Sequence, residues 1–143
     1  MARANSGNGR AAVAVIGAGI MGSAMARNLV AAGLTTRVWD RAASATGPLA
    51  DAGAVVAASA RDAVRDAGVV ITMLPTADVV ESVIFDGGAA GAFARGCVWA
   101  QMGTIGVEAT LRMRDQLAVR RPGVMFVDSP VSGTRDRRSR ASC

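Results

Sequence analysis

Residues 13–33, "VAVIGAGIMGSAMARNLVAAG", decide how the rest of the chain is read. Residues 12–16, "AVAVI", are a short apolar run ending at Gly17, the pattern of a strand buried on both faces. Glycines at 17, 19 and 22 follow at once as G-x-G-x-x-G, and from Met21 to Ala32 the sequence turns helix-prone. Met21, Met25, Leu29 and Ala32 fall on one stripe of that helix and read as core packing, with Gly33 placed to stop it.

The same alternation continues outward. "TTRVWD" (35–40) is a second strand, "ATGPLADAGA" (45–54) a short helix and "AVV" (54–56) a brief third strand. "SARDAVRDAG" (59–68) reads as a helix with Ser59 as N-cap, Asp62 in the capping-box position and Gly68 past its end. "VVITML" (69–74) is a fourth strand stopped by Pro75, followed by a helix over "ADVVESVIF" (77–85). "CVWAQM" (97–102), "VEATLRMRDQLAV" (107–119) and "VMFVD" (124–128) are a fifth strand, an amphipathic helix and a sixth strand. Strand–helix alternation at this spacing predicts an α/β fold: a Rossmann-type doubly wound parallel sheet in a single domain. Ligands on such sheets bind at the C-terminal strand ends, here residues 17–22, 40–41, 74–76, 102–104 and 128–134.

The glycine motif has the context that gives it meaning, because it follows a strand, opens a helix and precedes Asp40 at the next strand's end by 18 residues. Gly17 permits the tight turn, Gly19 lets the backbone approach a pyrophosphate, and Gly22 lets the helix pack closely on the strand. Unpaired N–H groups at the helix start suit phosphate charge, which brings Ala18, Ile20 and Met21 into the candidate set. Asp40 can accept from both ribose hydroxyls and its charge repels a 2′-phosphate, so NAD is the expected cofactor. Arg41 beside it leaves NADP open. The alternatives are a solvated loop carboxylate for Asp40 and, for Thr104, a helix N-cap, either in place of a cofactor contact or together with one.

Composition narrows the function. At 143 residues, 51% hydrophobic and 19% charged, the chain has one domain's worth of sequence. No apolar run approaches the roughly 20 residues of a membrane span. Residues 1–11 have no apolar stretch and read as a frayed leader rather than a signal or anchor, so a cytoplasmic location is expected. Cys97 and Cys143 are far apart and there is no histidine, which argues against a disulfide framework or a metal site. All 16 basic residues are arginine. With neither Lys, His nor Tyr, the groups left for acid–base work are carboxylates and the two cysteines. The net charge of +5 includes a local +3 over residues 135–140, and three Phe with two Trp offer no platform for bases, so a nucleic-acid partner is not expected.

Several segments together resemble the β-hydroxyacid dehydrogenases, the group of 3-hydroxyisobutyrate dehydrogenase and tartronate semialdehyde reductase. "VAVIGAGIMGSAMARNLVAAG" resembles that family's opening, "VWDR" its second strand end, "ITMLPTADVVESVIF" its fourth strand and Leu-Pro loop, and "MGTI" its Ser-Thr-Ile segment. "FVDSPVSGT" (126–134) is similar to its substrate signature. The resemblance implies that Leu74, Pro75 and Thr104 line the cofactor and that Ser132, Gly133 and Thr134 hold the substrate's carboxylate or hydroxyl. It implies hydride transfer between a nicotinamide and a small β-hydroxy acid. A stand-alone nucleotide-binding module and an imine reductase are the competing readings.

Two departures stand out. Thr134 replaces the signature's second glycine, and the family's catalytic lysine lies downstream, on the helix leading to an all-helical second domain, so no catalytic residue is expected here. "RDRRSRASC" (135–143) departs from the family's continuation, and one permitted coding of it, given a single added base, reads Arg-Gly-Pro-Ala-Glu-Gln-Gly-Lys-Leu. The expectation is therefore a leader (1–11), a nucleotide-binding domain (12–134) and a tail from a shifted frame (135–143). It is also of nucleotide binding without turnover, and not of the family's homo-oligomer.

Overall fold

The computed structural model describes residues 12–131. The leader, the tail and the signature residues Ser132, Gly133 and Thr134 lie outside the described residues.

Six parallel strands form one sheet: β1 (Ala12–Ile16), β2 (Thr36–Trp39), β3 (Val55–Val56), β4 (Ala67–Thr72), β5 (Val98–Gln101) and β6 (Met125–Asp128), in the order β3-β2-β1-β4-β5-β6. The connecting helices are α1 (Ile20–Ala31), α2 (Ala43–Asp51), α3 (Ala60–Val64), α4 (Ala77–Glu81), continued by a π-helical turn over Ser82–Asp86, and α5 (Val107–Arg120). A 3-10 turn over Ala89–Ala92 precedes β5. The chain thus winds outward from β1 through β2 and β3, then returns across the sheet to β4. That reversal between β1 and β4 opens a crevice at the strand ends.

Strand β1 is buried on both faces, as its unbroken apolar run requires. Val13 and Val15 join Val38, Leu49 and Ile71 on one side, while Ala14 and Ile16 join Val70, Trp99, Met113 and Leu117 on the other. Bonds just past the strand ends keep the rim level: Gly17 donates to the Trp39 carbonyl, Met73 to Ile16 and Met102 to Thr72. The edge strands are less covered, with Val55, Val56, Met125 and Val127 exposed. Among the described residues no helix is long and apolar enough to cross a membrane.

The structure moves several predicted details. The innermost residues of α1 are Gly22 and Ala26, flanked by half-buried Met25 and Leu29, and Ala32 is exposed. The small residues take the centre because this helix lies closer to the sheet than a methionine would allow. Gly33 does stop α1: its N–H donates to Val30 and that of Leu34 to Leu29, a Schellman motif with Gly33 at φ +86°. The stop after Val64 is not Gly68, which lies inside β4. Asp66 makes that turn at φ 61°, a conformation that Asp tolerates better than most residues. Ser59 caps α3 by accepting from the Asp62 N–H at 3.0 Å, while the Asp62 carboxylate turns to Arg65 at 3.6 Å instead of completing a box.

Helix α5 is tied to α4 by Arg112, which donates to both carboxylate oxygens of Glu81 at 3.0 and 3.2 Å. Those bonds hold the Glu81 carboxyl below its usual value, so whatever stability the pair adds is present at neutral pH and is lost as the solution is acidified.

Cys97, just before β5, is 1% exposed, and burial pushes its thiol from 9.0 up to about 11. Alkylation followed by peptide mass mapping should find Cys97 unmodified in the native chain at neutral pH and modified after unfolding. As pH rises above 9.0 towards about 11 the unfolded chain gives up the thiol proton first, so native stability should fall across that window. Replacing Cys97 by Ala should flatten that part of the pH profile.

Candidate nucleotide site

The glycine turn joins the end of β1 to α1 and its three glycines answer to different constraints. Gly17 sits at φ +106°, and a Cβ there would collide with the carbonyl oxygen of Met73 after β4. A Cβ on Gly22 would collide with the carbonyl oxygen of Gly17 itself. Around Gly19 nothing lies within 4 Å of the position a Cβ would take. The protein's own packing therefore demands the first and third glycines and leaves a gap over the second. Gly19 is the N-cap of α1, no side chain caps that end, and no acidic residue stands in the first turn. Its leading N–H groups are left open to an anion.

Asp40, directly after β2, fastens this turn. Its Oδ2 accepts from the Ala18 N–H at 2.7 Å and its Oδ1 from the Ala42 N–H at 2.8 Å. The carboxylate thus bridges two loops while remaining partly exposed. Each oxygen keeps lone-pair capacity towards the crevice.

Two adjoining cavities follow the C-terminal rim. One, of about 520 Å³, is lined by Gly17, Gly19, Ile20, Met21, Gly22, Asp40, Leu74, Pro75 and, from the loop after β5, Met102, Gly103 and Thr104. The other, of about 680 Å³, continues from Asp40, Leu74 and Pro75 past Trp39 and Arg41 to Arg61, Asp78, Val79, Ser82 and Val83. Together they make one trough across the switch point. Every predicted cofactor residue lies on its wall except Ala18, which is buried behind the turn with its N–H on Asp40. Thr104 is on the wall, but it is not the helix cap: Gly106, at φ +95°, caps α5, and Thr110 returns its hydroxyl to the Gly106 carbonyl at 2.7 Å. A glycine can hold that left-handed turn where a threonine at the cap would be strained.

The far wall was not legible from motifs. Arg61 follows β3, and the strand-end rule applied to that short strand would have found it. Ser82 and Val83 reach the trough through the π-helical turn, for which the sequence carries no mark.

Comparison with known proteins identifies this arrangement. Residues 12–142 match the family model described as the NAD binding domain of 6-phosphogluconate dehydrogenase. The chain belongs to this family. Among relatives, NAD-dependent L-serine dehydrogenase of Pseudomonas aeruginosa is 41% identical over 122 residues, 85% of this chain and 40% of that protein. Among solved structures, Mycobacterium tuberculosis 3-hydroxyisobutyrate dehydrogenase with L-serine aligns at TM-score 0.80 and 35% identity, covering 87% of this chain and 41% of that one. The V8 variant of an imine reductase from Myxococcus stipitatus in complex with NAD+ aligns at 0.77 and 31%, covering 89% and 43%. The imine reductase from Myxococcus stipitatus in complex with NADP+ aligns at 0.76 and 30%, covering 87% and 42%. This chain therefore spans about two fifths of the length of each of these proteins. The family's NAD-binding domain and the resemblance to 3-hydroxyisobutyrate dehydrogenases both stand.

The glycines give a direct test. Gly22→Ala should destabilise the fold by about 2 kcal/mol or more, since backbone must shift to admit the methyl. Gly19→Ala should cost no more than about 1 kcal/mol, the loss of a preferred cap residue. Thermal or urea unfolding of the two variants reads the difference.

Proposed function

We propose that residues 12–131 are the cofactor-binding part of an NAD(H)-dependent oxidoreductase of small β-hydroxy acids. We further propose that these 143 residues bind nucleotide without turning over a hydroxy acid. The gap over Gly19, set between two glycines that the packing itself requires, is the observation that carries the first part. Packing explains why positions 17 and 22 have no side chain. At position 19 no part of the chain would meet a side chain, and the bare backbone there can lie against a pyrophosphate.

The trough suits a dinucleotide. The open N–H groups at the start of α1 would receive the pyrophosphate. Asp40 would take the adenosine ribose hydroxyls on its remaining lone pairs, and its charge disfavours a 2′-phosphate, which favours NAD over NADP. Arg41, exposed on the rim, works in the opposite direction. Leu74, Pro75 and Thr104 form the wall nearest the β4 and β5 ends. Bound there, the nicotinamide supplies or accepts the hydride. Ser132, Gly133 and Thr134 are the residues proposed to hold the substrate's carboxylate or hydroxyl.

What these residues lack is a carrier for the alcohol proton. The sequence has no Lys, His or Tyr. The carboxylates lining the trough are Asp40, committed to two backbone donors, and Asp78 on the outer wall. Cys97 is buried at the opposite end of β5 from the rim, with burial raising its thiol pKa.

NADH titrated into the purified chain should bind saturably and more tightly than NADPH. Gly19→Ala should weaken NADH binding about tenfold or more by placing a methyl where the pyrophosphate approaches. NAD+-dependent oxidation of 3-hydroxyisobutyrate by the purified 143-residue chain would overturn the second part of the proposal and leave the first standing.

A further inference from the structure

Beneath the trough lies a buried polar chain that the motif reading did not find. Thr72 ends β4, Trp99 and Gln101 lie on β5, and all three side chains are fully buried. Trp99 Nε1–H donates to Thr72 Oγ1 at 3.0 Å, the Thr72 hydroxyl donates to Gln101 Oε1 at 2.9 Å, and Gln101 Nε2–H donates to the Gly103 carbonyl at 2.6 Å. The direction of this chain is forced. An indole N–H can only donate and a backbone carbonyl can only accept, so the hydroxyl and amide between them have one consistent orientation.

Its end point is the wall of the trough. Gly103 lies between Met102 and Thr104, and all three border the cavity beside the glycine turn. Gly103 is also pressed against the neighbouring loop: a Cβ on it would stand 2.8 Å from the carbonyl oxygen of Leu74. The polar chain therefore fixes the loop after β5 against the loop after β4, and both loops line the same cavity. A buried polar network is costly unless every member is satisfied, and here each link is made. An apolar trio would fill the same space without fixing the loop.

We infer that Thr72 and Gln101 are positioning residues that hold the loop carrying Met102, Gly103 and Thr104 in place for the nicotinamide-side half of a bound dinucleotide. This rests on the nucleotide reading above. The other half of the trough is walled mainly by the end of β2, the start of α3 and α4 with the turn after it, none of which this polar chain touches, and it shares only Asp40, Leu74 and Pro75 with the half beside Gly103.

The test compares a ligand that reaches both halves with one that occupies only the adenosine half. Thr72→Val keeps the shape and removes the hydroxyl. Gln101→Glu keeps the shape and, when ionised, sets an acceptor against the Gly103 carbonyl. Thr72→Ser keeps the hydroxyl and serves as the conservative rescue. Thr72→Val and Gln101→Glu should weaken NADH binding about tenfold, the scale of one buried group left unpaired, with AMP affinity within about twofold of wild type. Thr72→Ser should restore NADH binding. Folded variants that bind NADH like wild type overturn the inference. So do variants that unfold outright or lose AMP and NADH in step, since either marks a general scaffold role. Wild-type chain that binds neither nucleotide overturns the functional reading and this inference with it, an outcome distinct from the others because the variants are then not needed to see it.

Discussion

The helix after β1 can approach the sheet only because Gly22 has no side chain to strike the Gly17 carbonyl, and the turn itself can lie against β4 only because Gly17 has none to strike Met73. These two contacts stack three elements, α1, the turn and the end of β4, at the point where the strand order reverses. Close approach there draws the first helical N–H groups to the rim and leaves the trough between β1 and β4 as the one place where both halves of the sheet present loop ends. The rest of the site follows from it, since the loops after β2 and β5 are carried to the same rim by the parallel registers on either side.

Local constraints were the legible part. A left-handed stop at Gly33, a Ser59 cap and a glycine turn each depend on a few adjacent residues, so the sequence carries them whole. The features it concealed depend on distant partners. Thr72 and Gln101 are 29 positions apart, and nothing around either marks it as one end of a hydrogen bond. The α1 stripe was misplaced for a related reason: hydrophobicity ranks methionine above glycine, but the distance between helix and sheet decides which residue can be innermost. Thr104 looked like a cap because threonine often is one, whereas Gly106, at a φ of +95°, takes that place directly before Val107, where the sequence puts the start of α5.

Trp99 shows how few aromatic residues such a sheet needs. All three Phe in the chain surround it, with ring centroids at 5.8, 5.9 and 5.0 Å for Phe85, Phe93 and Phe126. They come from the turn after α4, the segment before β5, and β6, so one indole gathers three separate connections into a single packing centre. Its N–H donates to Thr72. The apolar body of this side chain thus organises the core, and its polar tip begins the hydrogen-bonded path to the trough.

Asp40 joins the fold and the proposed selectivity in one carboxylate. Its bonds to Ala18 and Ala42 hold the glycine turn to the loop after β2, and in the proposed function the same charge would set the preference between ribose hydroxyl and phosphate. Changing it to alter the cofactor would also release the turn, so the two properties cannot be varied separately at this position. Arg41 and Arg61 carry no such double duty: both are exposed on the trough wall and neither has a carboxylate partner within salt-bridge distance among the described residues. A change at either arginine would therefore leave the packing around Gly17, Gly22 and Asp40 as it is.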